Sequence, residues 1–173
     1  GELTFLVALA LADAGARFGV VPALKWPNDL LVGGAKLAGI LLEAEHDAEA
    51  GTACVVAGTG LNIAHHPPPG RYPTTSLAAS GASDATVEAL LSAYLETLGF
   101  WLDRWDAEGF APVRRAWLER AAGLGGPIRV RLPREEIDGI FGGLDDDGTL
   151  LLTLPGGAVR PVRSGEVFFS ERR

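Results

Sequence analysis

The sequence has no methionine and only one cysteine, Cys54. A single thiol excludes an intrachain disulfide framework, so the fold has to rest on a hydrophobic core, and a cytoplasmic location fits. No uninterrupted apolar run reaches the roughly 18 residues that a transmembrane helix needs, and no membrane span is expected. The apolar opening stretch, residues 1–12, contains Glu2 and lacks a basic flank, which fits an amphipathic helix better than a secretory signal. Positive charge is also scarce: 15 Lys and Arg against 22 Asp and Glu leave a net charge of −7. An acidic chain with no long basic cluster and no helix-turn-helix pattern makes a poor DNA binder, because phosphate contacts require cations. No Walker loop and no G-x-G-x-x-G run occurs. The adjacent His65 and His66 would point to opposite sides of an extended chain with no third ligand near, so no metal site is expected there. The acidic run Asp145-Asp146-Asp147-Gly148 lacks the later ligands of a calcium loop and reads as a solvated hairpin turn.

What the chain does contain is globular: 47% hydrophobic and 21% charged over 173 residues, enough for one domain with a small appendage. Residues 4–18 read as a helix packed on most of its circumference, stopped near Gly19. Residues 23–32 read as one strand with Pro27 as a bulge or edge marker, Gly33-Gly34 as a two-residue hairpin, 36–45 as the return strand and 53–58 as a further strand. Cys54 falls in that last apolar run and is expected to be a buried structural thiol. Residues 65–73, with four prolines, are a loop. Asp84 is the predicted N-cap of a long helix in which Val87, Leu90, Leu91, Tyr94, Leu95, Leu98, Trp101, Leu102 and Trp105 follow at helical spacing, with the aromatics expected in the core, and a second helix is expected over 112–122. After the glycine-rich break at 123–127, apolar residues alternate with arginines. Residues 126–173 therefore read as a small antiparallel β-barrel of about five strands.

Two segments carry polar chemistry. With Gly33-Gly34 closing a tight hairpin, Leu31 faces Lys36 and Asp29 faces Ala38. Lys25, Asp29 and Lys36 then share one sheet face, with Asp29 diagonal to Lys36. Two ammonium groups and one carboxylate among apolar residues are costly to bury unless paired, and they suit an anionic ligand such as a carboxylate or phosphate. Asp29 could also orient a lysine or help hold a metal ion that accompanies ATP. A solvated surface ion pair is the plainer alternative, and spacing alone leaves both open. The second segment, Gly58-Thr59-Gly60-Leu61-Asn62, ends a strand; its glycines either turn the chain or let a ligand approach backbone N–H groups.

Lys25-Trp26-Pro27-Asn28-Asp29, then Lys36-Leu37-Ala38-Gly39-Ile40-Leu41, then the strand ending Gly58-Thr59-Gly60-Leu61-Asn62, then Thr75-Ser76-Leu77, in this order, resemble the catalytic core of biotin protein ligases. The resemblance covers nearly the whole chain. It implies an α+β fold with a mixed or antiparallel sheet and packed helices over residues 1–124, the C-terminal part of the catalytic domain, followed by an SH3-like β-barrel over 126–173. It implies a two-step reaction in which ATP and biotin give biotinyl-5′-AMP, with Mg²⁺ accompanying the nucleotide, and a lysine of a biotin carboxyl carrier domain then takes the biotin. Lys36, Asp29 and Lys25 match catalytic positions; Lys36, Gly39 and Leu41 match the biotin pocket; Asn28, Asp29, Gly58, Gly60 and Asn62 match the nucleotide contacts. A homodimer is compatible. A lipoate-type ligase and a non-catalytic biotin or biotinyl-AMP binder are the competing readings. The assignment requires a hollow between the Asp29–Lys36 pair and the 58–62 bend.

The family's T-S-T-N-type segment and its Gly/Arg-alternating adenylate loop do not occur in these residues; the pairs Arg114-Arg115 and Arg172-Arg173 lack the glycines. The expectation is a fragment of a longer ligase that, alone, makes biotinyl-AMP slowly.

Overall fold

The computed structural model describes residues 1–47, 52–68, 70 and 72–169. Arg172 and Arg173 lie outside them. The first helix, α1 (Glu2–Ala16), is buried along almost its whole length from Phe5 to Gly15. Its sequence is apolar on every side, and it is enclosed by the strands on one flank and two further helices on the other.

The expected single strand over 23–32 is instead two: β1 (Ala23–Lys25) and β2 (Asp29–Val32) pair antiparallel around a turn at Trp26-Pro27-Asn28, with a cis Trp26–Pro27 peptide. Pro27 has no N–H to give a ladder, so the chain folds back there rather than running through. β3 (Ala35–Asp47) and β4 (Thr52–Leu61) complete an antiparallel meander in the order β1-β2-β3-β4. Gly33 and Gly34, both at positive φ, close the β2–β3 hairpin as the sequence predicts. One face of this sheet, carrying Leu24, Leu30, Ala38 and Ile40, is buried beneath α1. The far part of the β3–β4 ribbon projects beyond the helices. Cys54 is therefore exposed, as are its neighbours Val55 and Val56, and the buried thiol expected from the apolar run is not found.

α2 (Val87–Glu108) is capped not by Asp84 but by Thr86, whose Oγ1 accepts the Ala89 N–H at 3.2 Å. Its indoles fasten it to α1: Trp101 Nε1 donates to Asp13 at 2.8 Å, and Trp105 Nε1 to Glu2 at 2.7 Å. Thr97 donates to the Ala10 carbonyl at 2.8 Å in the same buried seam. α3 (Phe110–Leu118) ends before the expected 122, because the chain leaves the helix to line β1: Leu24 N–H donates to Arg120 O and Ala122 N–H to Leu24 O, each at 2.8 Å. That exchange satisfies backbone groups on an otherwise open sheet edge.

Beyond the glycine-rich stretch, β5 (Pro127–Arg131), β6 (Glu136–Leu144), β7 (Leu150–Thr153), β8 (Val159–Val162) and β9 (Glu166–Phe169) form a five-stranded antiparallel sheet in the order β8-β7-β6-β5-β9. Alternate residues Ile128, Val130, Phe141, Leu150, Leu152, Val162 and Val167 make its core. The acidic β6–β7 turn leaves Asp146 and Asp147 exposed, as expected. Asp147 accepts from the Thr149 hydroxyl and N–H, which pulls its carboxyl down to about 2, while Gly148 is buried beside Phe5 and Phe110. The Gly148 carbonyl accepts from Trp26 Nε1 at 3.3 Å. A Cβ on Gly148 would stand 2.6 Å from the Phe5 ring.

Candidate active site

The β1–β2 turn is fixed from both sides. Trp26 is buried and bonded to Gly148, and Asn28 locks the turn onto β3: its Nδ2 donates to Ile40 O at 2.7 Å while Ile40 N–H donates back to Asn28 O at 2.9 Å. Lys25 and Asp29 flank the turn as direct partners. Asp29 pairs with Gly39 and not with Ala38, because the β2–β3 register slips by one residue between Leu30 and Leu31. The slip leaves the expected proximity intact and tightens it. Asp29 Oδ1 lies 2.5 Å from Lys36 Nζ, and Oδ2 lies 3.6 Å from Lys25 Nζ. A Cβ on Gly39 would come within 3.2 Å of Lys36 Nζ, so the glycine makes the room in which that pair sits.

Partners in a ladder present their side chains on one face. The row Lys25, Asp29, Gly39, Gly60 crosses all four strands, and the next row on that face pairs Leu41 with Gly58. The face thus has a charged end and, beside it, a strip where Gly39, Gly58 and Gly60 carry no side chains and Leu41 is 63% exposed. At the charged end, side-chain exposure is 11% for Lys25, 15% for Asp29 and 39% for Lys36, so Lys36 is the cation most open to a ligand. Two ammonium groups against one carboxylate leave one positive charge in excess. This excess favours an anion, and the partial burial strengthens it.

A cavity of about 520 Å³ opens over this end, walled by Lys25, Asp29, Lys36, Tyr72, Pro73 and Phe168. It faces the barrel, not the 58–62 bend. Gly58 and Gly60 share the sheet face but not the cavity: among the described residues the hollow required between Lys36 and that bend is not formed, and only the common sheet face, an open strip, links the two. Asn62 holds a neighbouring segment in place: its Nδ2 donates to Thr75 O at 2.9 Å, and its carbonyl accepts the Leu77 N–H at 2.9 Å. The Thr75-Ser76-Leu77 stretch runs along β3, with Lys36 N–H donating to Pro73 O at 2.8 Å and Thr75 N–H to Lys36 O at 2.9 Å.

Sequence reasoning missed the barrel's share of the wall. The Tyr72 ring lies 5.3 Å from Lys25 Nζ, its hydroxyl donates to Glu166, and its ring meets Phe168 at 5.7 Å. Glu166 and Phe168 are over 90 residues from Tyr72, and no local signal links them. Among the described residues no cluster of three His, Cys, Asp or Glu side chains stands ready for a metal. Both Asp29 oxygens face ammonium groups. The described residues therefore do not make a Mg²⁺ site here. His66 Nδ1 is engaged with Pro67 O and the Thr74 hydroxyl at 3.0 and 3.2 Å.

Residues 2–119 match the biotin/lipoate A/B protein ligase family, and residues 123–170 match the biotin protein ligase C-terminal domain. A biotin–[acetyl-CoA-carboxylase] ligase of Paracoccus denitrificans is 41% identical over 97% of this chain and 72% of its own length. One of Mycobacterium tuberculosis is 33% identical over 96% of this chain and 62% of its own. The chain thus spans between about three fifths and three quarters of these relatives. The biotin protein ligase of Aquifex aeolicus, solved in complex with biotin and ATP, superposes with a TM-score of 0.80 at 22% identity, over 98% of this chain and 71% of that one, which establishes the shared α+β fold. With a ligase-family match over most of the chain, its C-terminal-domain match over the barrel and a relative at 41% identity, this chain belongs to the biotin protein ligase family of enzymes.

Proposed function

We propose that the intact protein joins biotin to ATP, forming biotinyl-5′-AMP, and passes the biotin to a lysine of a biotin carboxyl carrier domain. The observation that carries this reading is the excess cation at Lys25–Asp29–Lys36 placed beside a strip of sheet without side chains. A biotin carboxylate and an α-phosphate repel each other. Lys36, the exposed member, neutralises both as the carboxylate oxygen bonds to phosphorus and pyrophosphate leaves. Asp29 fixes the Lys36 ammonium through the 2.5 Å ion pair, and Lys25 backs the carboxylate from the other side. The bare strip at Gly39, Gly58 and Gly60, edged by Leu41, lets a flat ligand approach the backbone, with biotin on the Gly39–Leu41 side and the adenylate toward Gly58, Gly60 and Asn62. In the second step the incoming amine attacks the anhydride carbonyl and AMP departs. Asn28 and Asp29, at the head of β2, are the polar groups beside that point. Mg²⁺, where it takes part, travels with the nucleotide's phosphates.

The expected result is biotin-dependent exchange of labelled pyrophosphate into ATP by the intact protein, with lipoate unable to replace biotin. Exchange driven by lipoate and not by biotin, or binding of biotin with no exchange at all, would overturn the reading.

A further inference from the structure

Lys25 is nearly enclosed, yet its carboxylate partner belongs mainly to another lysine: Asp29 is 2.5 Å from Lys36 and 3.6 Å from Lys25. An ammonium group so placed needs a further source of negative potential, and the face of Tyr72 supplies it at 5.3 Å. The ring is held there by the barrel. Its hydroxyl donates to Glu166 and its ring packs tilted against Phe168. Both barrel groups are themselves fixed by Arg131, whose guanidinium stacks on Phe168 at 4.6 Å and lies 3.8 Å from Glu166. A phenol that donates to a carboxylate gains electron density in its ring, which strengthens its hold on the cation. A relay therefore runs from Arg131 through Glu166 and Phe168 to Tyr72 and ends on Lys25, in the wall of the cavity.

We propose that Tyr72 is a positioning residue: it keeps the Lys25 ammonium at the cavity wall as its second cation and fastens the barrel as the opposite wall. This rests on the ligase reading only for its kinetic consequence; the geometry stands apart from it. With Tyr72 in place, Lys25 shares Asp29 with Lys36. Without it, Lys25 competes for Asp29 or leaves, and the charge that receives the phosphates is rearranged.

The test is made on the intact protein. Nuclear magnetic resonance of the lysine ε-methylene groups, with Lys25 assigned by Lys25→Arg, is expected to show an upfield, ring-shifted Lys25 signal in the wild type. That signal should persist in Tyr72→Phe and vanish in Tyr72→Leu. In biotin-dependent pyrophosphate exchange, Tyr72→Leu is expected to raise KM for ATP about tenfold with a smaller change in kcat, and Tyr72→Phe to restore most of the loss. A wild-type Lys25 signal at the ordinary lysine position overturns the proposal, even if Tyr72→Leu does not fold. So does a Tyr72→Leu enzyme with unchanged KM. A shifted Lys25 signal together with no exchange in the wild type would sink the ligase reading while leaving the placement of Lys25 by Tyr72 standing.

Discussion

The two sheets of this protein handle charge in opposite ways. On the barrel, each of three arginines meets a carboxylate: Arg129 with Asp138, Arg131 with Glu136, and Arg160 with Glu135, at 2.6–2.7 Å. Arg129 and Asp138, like Arg131 and Glu136, are direct cross-strand partners, so the ladder itself sets the match. These hydrogen-bonded pairs hold the guanidinium groups above their usual range and Asp138 and Glu135 below theirs. On the meander, Lys25 and Lys36 share Asp29 and one positive charge is left over. A matched surface pair contributes little and asks for no ligand. An unmatched, half-buried cation carries a desolvation cost that a bound anion offsets. The difference teaches where to look for chemistry: at the surplus, not at the densest cluster of charge.

The largest expected effect comes from removing the surplus. Lys36→Ala in the intact protein should lower biotin-dependent pyrophosphate exchange by about a hundredfold or more, while thermal unfolding stays close to wild type, because the side chain is partly exposed and Asp29 keeps Lys25 as a partner. Full carrier biotinylation by Lys36→Ala would erase the contrast between the sheets and place the catalytic charge elsewhere.

Next comes the contact that joins the two sheets. Gly148 combines a φ of 86° with a ring only 2.6 Å from where a Cβ would stand, so Gly148→Ala meets backbone strain and a clash with Phe5 together. The expected loss is about 2 kcal/mol or more of stability, read as a fall in Tm of about 5 °C. The Trp26 bond to the Gly148 carbonyl should loosen with it, so exchange activity should fall even below the melting range. A Gly148→Ala protein with unchanged Tm would show that the barrel turn is not seated against α1.

Much of this contrast was legible from residues alone, because it depends on short-range rules. Period-two alternation placed Ile128 and Val130 inside and Arg129 and Arg131 outside, and Gly33-Gly34 brought Lys36 back over Asp29. What escaped has physical causes. A one-residue slip at Leu30–Leu31 lies beyond the hairpin glycines, which set the register only next to the turn, so Asp29 meets Gly39 rather than Ala38. Cys54 was read as buried because Val55 and Val56 beside it are apolar, yet burial depends on whether a helix lies over that part of the ribbon. Thr86 displaced Asp84 as the cap because helix entry is set by backbone angle at one residue, and both residues are good caps. Tyr72 has no local signal of its place in the cavity wall, because its partner Glu166 arrives from the far end of the chain.

The smallest expected effect tests the other half of the comparison. Arg129 and Asp138 form two hydrogen bonds, Nε to Oδ1 at 2.7 Å and Nη2 to Oδ2 at 3.0 Å, on an exposed barrel face. Geometry this good still exchanges one hydrated ion pair for another, so Arg129→Gln, Asp138→Asn and the double variant should each leave Tm within about 1 °C of wild type and exchange activity unchanged. The pH dependence has a definite sign. Asp138 titrates lower in the folded chain than its ordinary value of 3.8, so any coupling measured by the double-mutant cycle is present above that value and disappears as the pH falls through the folded one. A coupling that persisted in acid, or an Arg129→Gln enzyme with lowered exchange, would mean that the Arg129–Asp138 pair is part of the site. The surplus shared by Lys25, Asp29 and Lys36 would then no longer be the feature that distinguishes the two sheets.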